Sequence, residues 1–323
     1  MLLIDKIKNT REISDNSLNT YNNNLKKLYK LITDKDKDKL EVEDMEKFKN
    51  VKTVMNILKD KLKPSTQKNY LVAVLVGLRC CEKKYEREID EYSLQIQKLS
   101  DSINDNYDEN SKSQSQKDNW LDHKEILKVL KELKAEVNGK GILNAPSVSD
   151  KDLDLLQQYL VLSIYSGKYF PPVRNDFSDM KIIMEKNYNA EKDKKNYFVV
   201  RKGNPYFVLN SYKTARKYGT QKIEVNNNDL KSLIKKWIKL NPTDYFLINV
   251  SNKTPMTPNG ISKYIQKIFK RKRNKSISSS LLRSIYITDK YENNNLTQKE
   301  KKDIAKEMLH SKSMSEQVYN KIE

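Results

Sequence analysis

The sequence predicts a mainly helical α+β protein of two domains, in which the second domain also holds a small antiparallel β-sheet. Apolar residues recur at spacings of three and four along most of the chain, which is typical of amphipathic helices. Between residues 197 and 225 they form short runs rich in Tyr, Phe and Val, which are typical of strands. A length of 323 residues also exceeds what one hydrophobic core usually holds, which favours two domains.

Four helices are predicted in the N-terminal domain, residues 1–105. Their apolar stripes occupy residues 14–32, 42–58, 63–78 and 85–99. A Ser-Asp-Asn-Ser cap precedes the first helix, and a Lys-Pro-Ser-Thr signal starts the third. Four helices with short connections favour a compact helical bundle. On its own, this pattern is compatible with a helical domain of any function.

Residues 106–122 are predicted to be a linker. From Ser100 to Asn119 the sequence is rich in Asp, Asn, Ser, Gln and Lys and holds almost nothing apolar. Such a composition is typical of a linker or of a solvated helix end. The helical period restarts at Trp120, so we expect the second domain to comprise residues 123–323.

The second domain is predicted to combine helices with the sheet. A strongly apolar helix runs from Leu153 to Ser166 and ends at Gly167, which is a suitable C-cap. Three strand-like runs follow, and then helices return. The strands are predicted at residues 197–200, 206–209 and 222–225, and the later helices around residues 233–240 and 258–269.

The charge of the chain favours a polyanionic partner. It holds 62 Lys+Arg against 43 Asp+Glu, a formal net charge of +19. Nucleic acid is the first choice and an anionic membrane surface the second, because the basic residues do not collect on one amphipathic helix. Between Ser251 and Lys290, ten Lys/Arg accompany one acid, Asp289, which indicates a phosphate-binding surface.

Several classes of protein lack support in the sequence. No apolar run is long enough for a membrane span, and the N-terminal residues are charged too early for a signal peptide. Cys80 and Cys81 are adjacent, which suits neither a zinc site nor an ordinary disulfide framework and favours a reducing compartment. Seven unclustered glycines provide no phosphate-binding loop. We expect neither a metal nor another cofactor, because no acidic or His/Cys cluster of metal-binding type is present.

The stretch from Leu281 to Tyr319 carries the residues with the clearest chemistry. It holds Arg283, His310 and, nine residues after the histidine, Tyr319. A guanidinium binds phosphate in a bidentate way, and a phenol can act as a nucleophile. Together these side chains could hold and attack a phosphodiester.

Arg174 is a second arginine with a defined setting. It follows Pro171 and Pro172, which cannot lie inside a helix, so it is presented from a rigid turn. A structural ion pair with Asp176 or Asp179 is an equally good interpretation of its position.

Lys213 lies in a basic turn between two predicted strands. Residues 212–219 interleave aromatic residues with Lys213, Arg216 and Lys217, which suits a nucleic-acid backbone. An exposed hairpin of any function would also suit this composition, because lysine is common at strand edges.

In these segments the chain resembles the tyrosine recombinases, the family of site-specific recombinases and integrases. Residues 158–182 resemble the helix and turn that deliver the first catalytic arginine, and residues 210–214 resemble the hairpin with the catalytic lysine. Residues 281–319 resemble the second-arginine helix and the His–Tyr segment, and the step of nine residues is the family's usual spacing. The N-terminal helices are similar to the family's core-binding domain. The resemblance covers nearly the whole chain and is strong in its second half.

The resemblance implies a catalytic domain that cleaves and rejoins DNA strands. Tyr319 would attack the scissile phosphate and form a 3′-phosphotyrosyl bond. Arg174 and Arg283 would hold the non-bridging oxygens, and Lys213 would protonate the 5′-oxygen leaving group. His310 would donate to a non-bridging oxygen or orient the tyrosine. Neither a metal nor ATP would be required.

The chain departs from the family pattern at three places. Ser280 stands where a histidine is common, three residues before Arg283, and would supply a hydrogen bond without a cationic charge. Phe177 stands where the family usually has an acid, three residues after Arg174. The given sequence ends at Glu323, four residues after the tyrosine, so we expect it not to include the C-terminal helix that many members exchange between protomers.

The resemblance also implies double-stranded DNA as the partner, bound by a homo-tetramer in the nucleus, the nucleoid or a viral factory. The unusual setting of Arg174 and the Lys/Asn-rich composition favour a virus or a mobile element as the source. The residues expected to contact DNA are Lys68, Arg216, Lys217, Lys270, Arg271, Lys272, Arg273 and Lys275.

Other functions share these residues. A type IB topoisomerase or a telomere resolvase would use the same nucleophile and the same arginines. A catalytically silent DNA-binding protein of the same fold would need only the basic surfaces. The presence of the tyrosine, the histidine, the lysine and both arginines favours an enzyme.

Overall fold

The computed structural model describes residues 1–322, with all of their side chains except those of residues 82, 83 and 106–108. The chain forms two compact units, Met1–Glu109 and Asn110–Glu323. Helices predominate, and a small sheet lies in the second unit. The predicted fold class, mainly helical α+β, is confirmed.

The first unit is helical throughout. Its α-helices are α1 (Leu3–Thr10), α2 (Asp15–Thr33), α3 (Val51–Lys59), α4 (Pro64–Arg79) and α5 (Glu86–Asp108), and 3₁₀-helices span Val42–Phe48 and Glu82–Tyr85. α4 lies at the centre, because its middle residues are buried and it packs against α2 and α5. The helix predicted over residues 42–58 is divided at Asn50, whose side chain accepts a hydrogen bond from the Thr53 N–H (3.0 Å) and caps α3.

The segment predicted as a linker, residues 106–122, spans the boundary between the units. α5 continues to Asp108, and a short helix α6 (Gln114–Asn119) lies just inside the second unit. Ser113 and Gln116 form a reciprocal capping box at the start of α6.

The second unit holds the remaining elements. Its helices are α7 (His123–Gly139), α8 (Asp150–Tyr165), α9 (Ala215–Tyr218), α10 (Asn228–Leu240), α11 (Pro258–Arg273), α12 (Ser279–Glu292) and α13 (Gln298–Glu307), and a π-helical turn spans Met314–Tyr319. Its strands are β1 (Lys181–Met184), β2 (Tyr197–Val200), β3 (Tyr206–Leu209), β4 (Gln221–Glu224), β5 (Ile248–Asn249) and β6 (Thr254–Pro255).

The main sheet is mixed, which corrects the prediction of an antiparallel sheet. Its order is β1-β2-β3-β4, in which β2, β3 and β4 are antiparallel as expected, while β1 pairs with β2 in parallel. β1 is an edge strand without a fully buried residue, so its sequence lacks the alternation that marks a half-buried strand. β2 and β3 pack Phe198 and Phe207 against each other, with ring centroids 4.9 Å apart.

α8 forms the middle of the second core. All of its residues from Leu155 to Tyr165 are buried, including Gln157. The amide of Gln157 bonds both the N–H and the carbonyl of Ile248 (2.9 Å each), so this buried polar group satisfies the backbone of β5. α8 ends at Tyr165 with Ser166 as its C-cap, and Gly167 follows with a φ of +77°, in the left-handed region.

Replacing Gly167 with alanine is expected to destabilise the protein. The new Cβ would lie 2.3 Å from Tyr286 Cδ2, and the positive φ is unfavourable for an L side chain. We expect a loss of at least about 2 kcal/mol in the free energy of unfolding, measured by urea denaturation.

Gly139→Ala is the matched control for this substitution. Gly139 is the last residue of α7, and a Cβ added there meets nothing within 4 Å. Its effect should lie between zero and a stabilisation of about 1 kcal/mol. Equal stability of the two variants would contradict the packing described for Gly167.

Candidate active site

The backbone carbonyl of Leu309 joins three distant segments of the second unit. α13 ends at Glu307 with Met308 as its C-cap, and Leu309 reverses the chain with a positive φ of 59°. Its carbonyl oxygen accepts hydrogen bonds from Arg174 Nη1 (2.9 Å) and from Thr214 Oγ1 (3.1 Å). The turn after Pro172, the segment after β3 and the segment before His310 therefore meet at one atom.

Arg174 is half-buried and is held by the backbone. Besides the bond to Leu309, its own carbonyl accepts a hydrogen bond from the Tyr165 hydroxyl (3.3 Å). Within the described residues, Arg174 forms an ion pair with neither Asp176 nor Asp179. The structural ion pair, one of the two interpretations of Arg174 in the sequence, is therefore not formed in this structure.

Arg283 is a buried cation with unused hydrogen-bonding capacity. It lies on α12 and is 1% exposed, and its Nη2 contacts His310 Nδ1 at 2.8 Å. Its Nε and Nη1 have no hydrogen-bond partner among the described residues. Burial lowers the pKa of Arg283 to about 10, which still leaves it charged at neutral pH. A buried cation with unpaired N–H groups is costly unless an anion approaches it.

His310 is neutral, and its contacts define its tautomer. A guanidinium can only donate, so the Nδ1 that contacts Arg283 accepts and carries no proton. Nε2 is then protonated and donates to Ser315 Oγ (2.7 Å). The Met308 carbonyl also lies 3.2 Å from Nδ1, but this nitrogen has no proton to offer it. Burial and, secondly, the charge of Arg283 lower the pKa of His310 to about 3.

Tyr319 packs against both of these residues. It is 8% exposed and ends the π-helical turn, an irregularity that is frequent at functional sites. The guanidinium carbon of Arg283 lies 4.5 Å from the centre of the tyrosine ring, and the His310 ring lies 5.0 Å from it. Arg283, His310 and Tyr319 therefore form one cluster, as the spacing in the sequence suggested they could.

Asp176 adds a half-buried carboxyl beside this cluster, with its Oδ2 atom shielded from solvent. Burial raises its pKa to about 6, although Arg174 and Arg283 both act to lower it. Its Oδ2 has no hydrogen-bond partner in the described part of the chain. The carboxyl also contributes to raising the pKa of the Tyr165 hydroxyl, for which burial is the main cause.

Lys213 lies beside the cluster with its side chain exposed. The next residue, Thr214, bonds the Leu309 carbonyl, so the backbone of this segment is fixed at the site. No hydrogen bond or ion pair of the Lys213 side chain to any described residue is present. Arg216 and Lys217 follow on α9 and are also exposed.

Ser280 lies one helical turn before Arg283, in the first turn of α12. It is exposed and lines a polar depression, together with Ser115, Gln116 and Gln266, instead of contacting the arginine cluster. The structure therefore does not join Ser280 to the five other residues predicted for catalysis.

The basic residues at the end of α11 are largely paired inside the protein. Arg273 Nη2 lies 2.5 Å from Glu132, and Arg271 Nη1 lies 3.0 Å from Glu136. Lys272 is also paired with Glu136. These acids lie on α7, about 140 residues upstream. The count of charges between residues 251 and 290 therefore did not include them.

The other predicted DNA contacts differ in setting. Lys270 is exposed, and Lys275 donates to the Asp118 carbonyl at 2.5 Å. Lys68 is half-buried on α4 in the first unit. The DNA-binding role of all eight residues stays a prediction.

Three groups of the site were not predicted from the sequence. They are the Leu309 carbonyl, the Thr214 hydroxyl and the Ser315 hydroxyl. A backbone carbonyl has no sequence signature. A polar residue five positions after His310, inside a segment of known importance, could have indicated Ser315.

Two further classes of feature are missing from the described residues. Within residues 1–322, no group of three or more His, Cys, Asp or Glu side chains could hold a metal ion. No helix in this part of the chain has both the length and the apolar character needed to cross a membrane.

Comparisons with known proteins find similarity among solved structures. No family model matches the chain, and no curated protein matches it. Among solved structures it is similar to the XerA recombinase, with 12% identity, coverage of 99% of this chain and 92% of that chain, and a TM-score of 0.39. The assignment of function must therefore come from the residues of the site.

Replacing Asp176 with asparagine is expected to change how stability depends on pH. Because the folded-state pKa of about 6 lies above the ordinary value of an aspartate, the wild-type protein loses stability as the pH rises from about 4 to 6. The loss then remains at neutral pH. Asp176→Asn removes this loss, so its free energy of unfolding relative to wild type should increase over the same interval, by up to roughly 3 kcal/mol.

Asp179→Asn is the control for this pH series. Asp179 is exposed and has a positive φ of 45°, which asparagine tolerates as well as aspartate does. Its difference from wild type should not depend on pH between 4 and 7. A difference for Asp176→Asn that is equally flat would contradict the buried, protonatable state of Asp176.

Proposed function

We propose that this protein is a site-specific DNA recombinase that cleaves and rejoins strands through a 3′-phosphotyrosyl intermediate. The observation that carries the proposal is the guanidinium of Arg283, which is buried beside Tyr319 with Nε and Nη1 unpartnered. A buried cation with free N–H groups next to a phenol is suited to bind a phosphodiester and attack it.

The scissile phosphate would bind between the two arginines. Arg283 would donate from Nε and Nη1 to the non-bridging oxygens, and Arg174 would donate from guanidinium N–H groups other than the one that bonds Leu309. Both arginines contribute to lowering the pKa of Asp176, which supports their closeness. Charge that develops on the pentacoordinate phosphorane would be stabilised there, which is usually the largest catalytic contribution.

The chemical step exchanges one phosphoester for another. The hydroxyl oxygen of Tyr319 releases its proton to solvent and forms a bond to phosphorus, while the bond from phosphorus to the 5′-oxygen breaks. Lys213 protonates the departing oxygen, which suits an exposed ammonium on a fixed backbone next to the site. The energy of the phosphodiester is kept in the protein–DNA bond, so a new 5′-hydroxyl can reverse the step without ATP.

The remaining functional assignments follow from the same proposal. Double-stranded DNA would be the partner, which the net charge of +19 supports. Arg216 and Lys217 lie beside Lys213, so they are well located to contact phosphates near the cleaved bond. Assembly into a homo-tetramer and the division of residues 1–105 and 123–323 into DNA-clamping and catalytic domains belong to this proposal too.

A type IB topoisomerase would use the same cluster and is the second candidate. The observation in its favour is that a buried arginine beside a tyrosine, joined to a histidine, serves this reaction equally well. A topoisomerase relaxes supercoiled plasmid as a monomer without a required target sequence, whereas a recombinase joins two duplexes at a defined sequence. Plasmid relaxation at dilutions where the protein is monomeric would decide for the topoisomerase.

Tyr319→Phe is expected to abolish covalent capture of DNA and to leave DNA binding unchanged. The variant loses only the nucleophilic oxygen, and the phenyl ring can still pack over Arg283. A pool of nicked duplexes with randomised sequence around the nick traps the covalent intermediate, because the short downstream strand diffuses away. The trapped complex is measured on denaturing gels and by sequencing the held strand.

The control for this experiment is Tyr188→Phe. Tyr188 lies in the same unit, with its ring 5.8 Å from that of Tyr197 and outside the arginine cluster. This variant should capture DNA as wild type does. Adducts that persist in Tyr319→Phe at the wild-type level would refute the assignment of the nucleophile.

A further inference from the structure

Ser315 is a fully buried hydroxyl inside the proposed active site. It is 0% exposed and lies in the π-helical turn Met314–Tyr319. Its Oγ lies 2.7 Å from Nε2 of His310. Ser315 lies four positions before Tyr319, the proposed nucleophile. It therefore connects His310 to the turn that carries the tyrosine.

The backbone of Ser315 holds the same turn. Its carbonyl accepts a hydrogen bond from the Asn320 N–H (2.8 Å), which closes the π-helical turn around Tyr319. Its N–H donates to the Ser311 carbonyl at 3.2 Å. Both backbone groups of Ser315, its N–H and its carbonyl, are therefore hydrogen-bonded, which fixes the position of its side chain.

The hydrogen bond to Ser315 decides which nitrogen of His310 carries the proton. The Arg283 guanidinium needs an acceptor at Nδ1, so the proton must reside on Nε2, where it needs an acceptor in turn. Ser315 Oγ is the acceptor at that side of the ring. Without it, Nε2–H would be buried and unsatisfied, which is costly.

The other tautomer is available but incompatible with Arg283. The Met308 carbonyl lies 3.2 Å from Nδ1 and would accept a proton from it. An Nδ1–H would then face the N–H of Arg283 Nη2, which now lies 2.8 Å away, and two donors repel each other. Loss of the Ser315 acceptor would therefore release the arginine from its present orientation.

We propose that Ser315 is a positioning residue for strand cleavage, because its hydroxyl fixes the Nε2–H tautomer of His310 and thereby orients Arg283 toward the scissile phosphate. The inference rests on the proposed function. It also assigns His310 a different task from a direct phosphate donor, because both of its ring nitrogens are engaged within the protein. The Nε and Nη1 of Arg283, which have no partner among the described residues, then remain available to the phosphate.

The tautomer can be read directly, because the chain contains only two histidines. In full-length protein with isotope-labelled histidine, long-range nitrogen–proton NMR spectra distinguish Nε2–H from Nδ1–H. His123 gives the second signal, since its Nε2 contacts the Ser166 carbonyl (2.7 Å), and a His123→Gln sample assigns the two signals. We expect His310 to be the Nε2–H tautomer. An Nδ1–H tautomer in the wild-type protein would overturn the proposal.

Ser315→Ala supplies the second readout. We expect the His310 proton to move at least partly to Nδ1, and the rate of covalent capture to fall about tenfold or more, as the loss of one buried hydrogen bond can produce. The affinity for DNA should not change. Wild-type rates in Ser315→Ala would overturn the positioning role.

Ser313→Ala is the matched control. Ser313 is exposed, precedes the same turn and donates to Gln317 Oε1 (2.7 Å), so both the tautomer and the rate should match wild type. Failure of the proposed function can be distinguished from failure of the role proposed for Ser315. In that case no variant captures DNA, while the NMR spectra still report the tautomer.

Discussion

The carbonyl oxygen of Leu309 is the interaction on which the site depends. It accepts from Arg174 and from Thr214, and the positive φ of Leu309 directs the chain into His310. Three segments that lie far apart in the sequence are aligned by this one backbone atom. A backbone acceptor keeps its place whichever side chain residue 309 carries, so the alignment depends on the turn at the end of α13 and not on a side-chain pair. The segment of Lys213 is tied to the same atom through Thr214.

The electrostatics of the cluster are unbalanced in the absence of DNA. Arg283 is charged and buried with two unpartnered nitrogens, while His310 is held neutral and Asp176 has a pKa raised to about 6. At neutral pH His310 adds no negative charge, and the one mostly ionised carboxyl of Asp176 offsets only one of the two arginine charges. The buried positive charge lowers the stability of the free protein, and a phosphate would relieve this cost on binding. The destabilising arrangement is thus explained by the proposed substrate.

Much of the fold could be predicted from periodicity, and part of the site from spacing. Apolar spacing located α2, α4 and α8, and runs of β-type residues located β2, β3 and β4. The edge strand β1 was not predicted, because a strand at an exposed edge needs no alternation of apolar and polar residues. In the site, Arg283, His310 and Tyr319 lie close together as expected, since they belong to one short stretch. The acids of α7 that pair with the end of α11 were not predicted. A count of charges within one stretch does not include a partner more than a hundred residues away.

The central claim is that Tyr319 attacks a DNA phosphate. Its most direct test is to map the attachment point in the wild-type protein after trapping on nicked DNA, by trypsin and nuclease digestion followed by mass spectrometry. Trypsin releases residues 313–321, a peptide in which Tyr319 is the only tyrosine. We predict a nucleotide bound through its 3′-phosphate to Tyr319. A nucleotide on another residue, or a bond through a 5′-phosphate, would contradict the account.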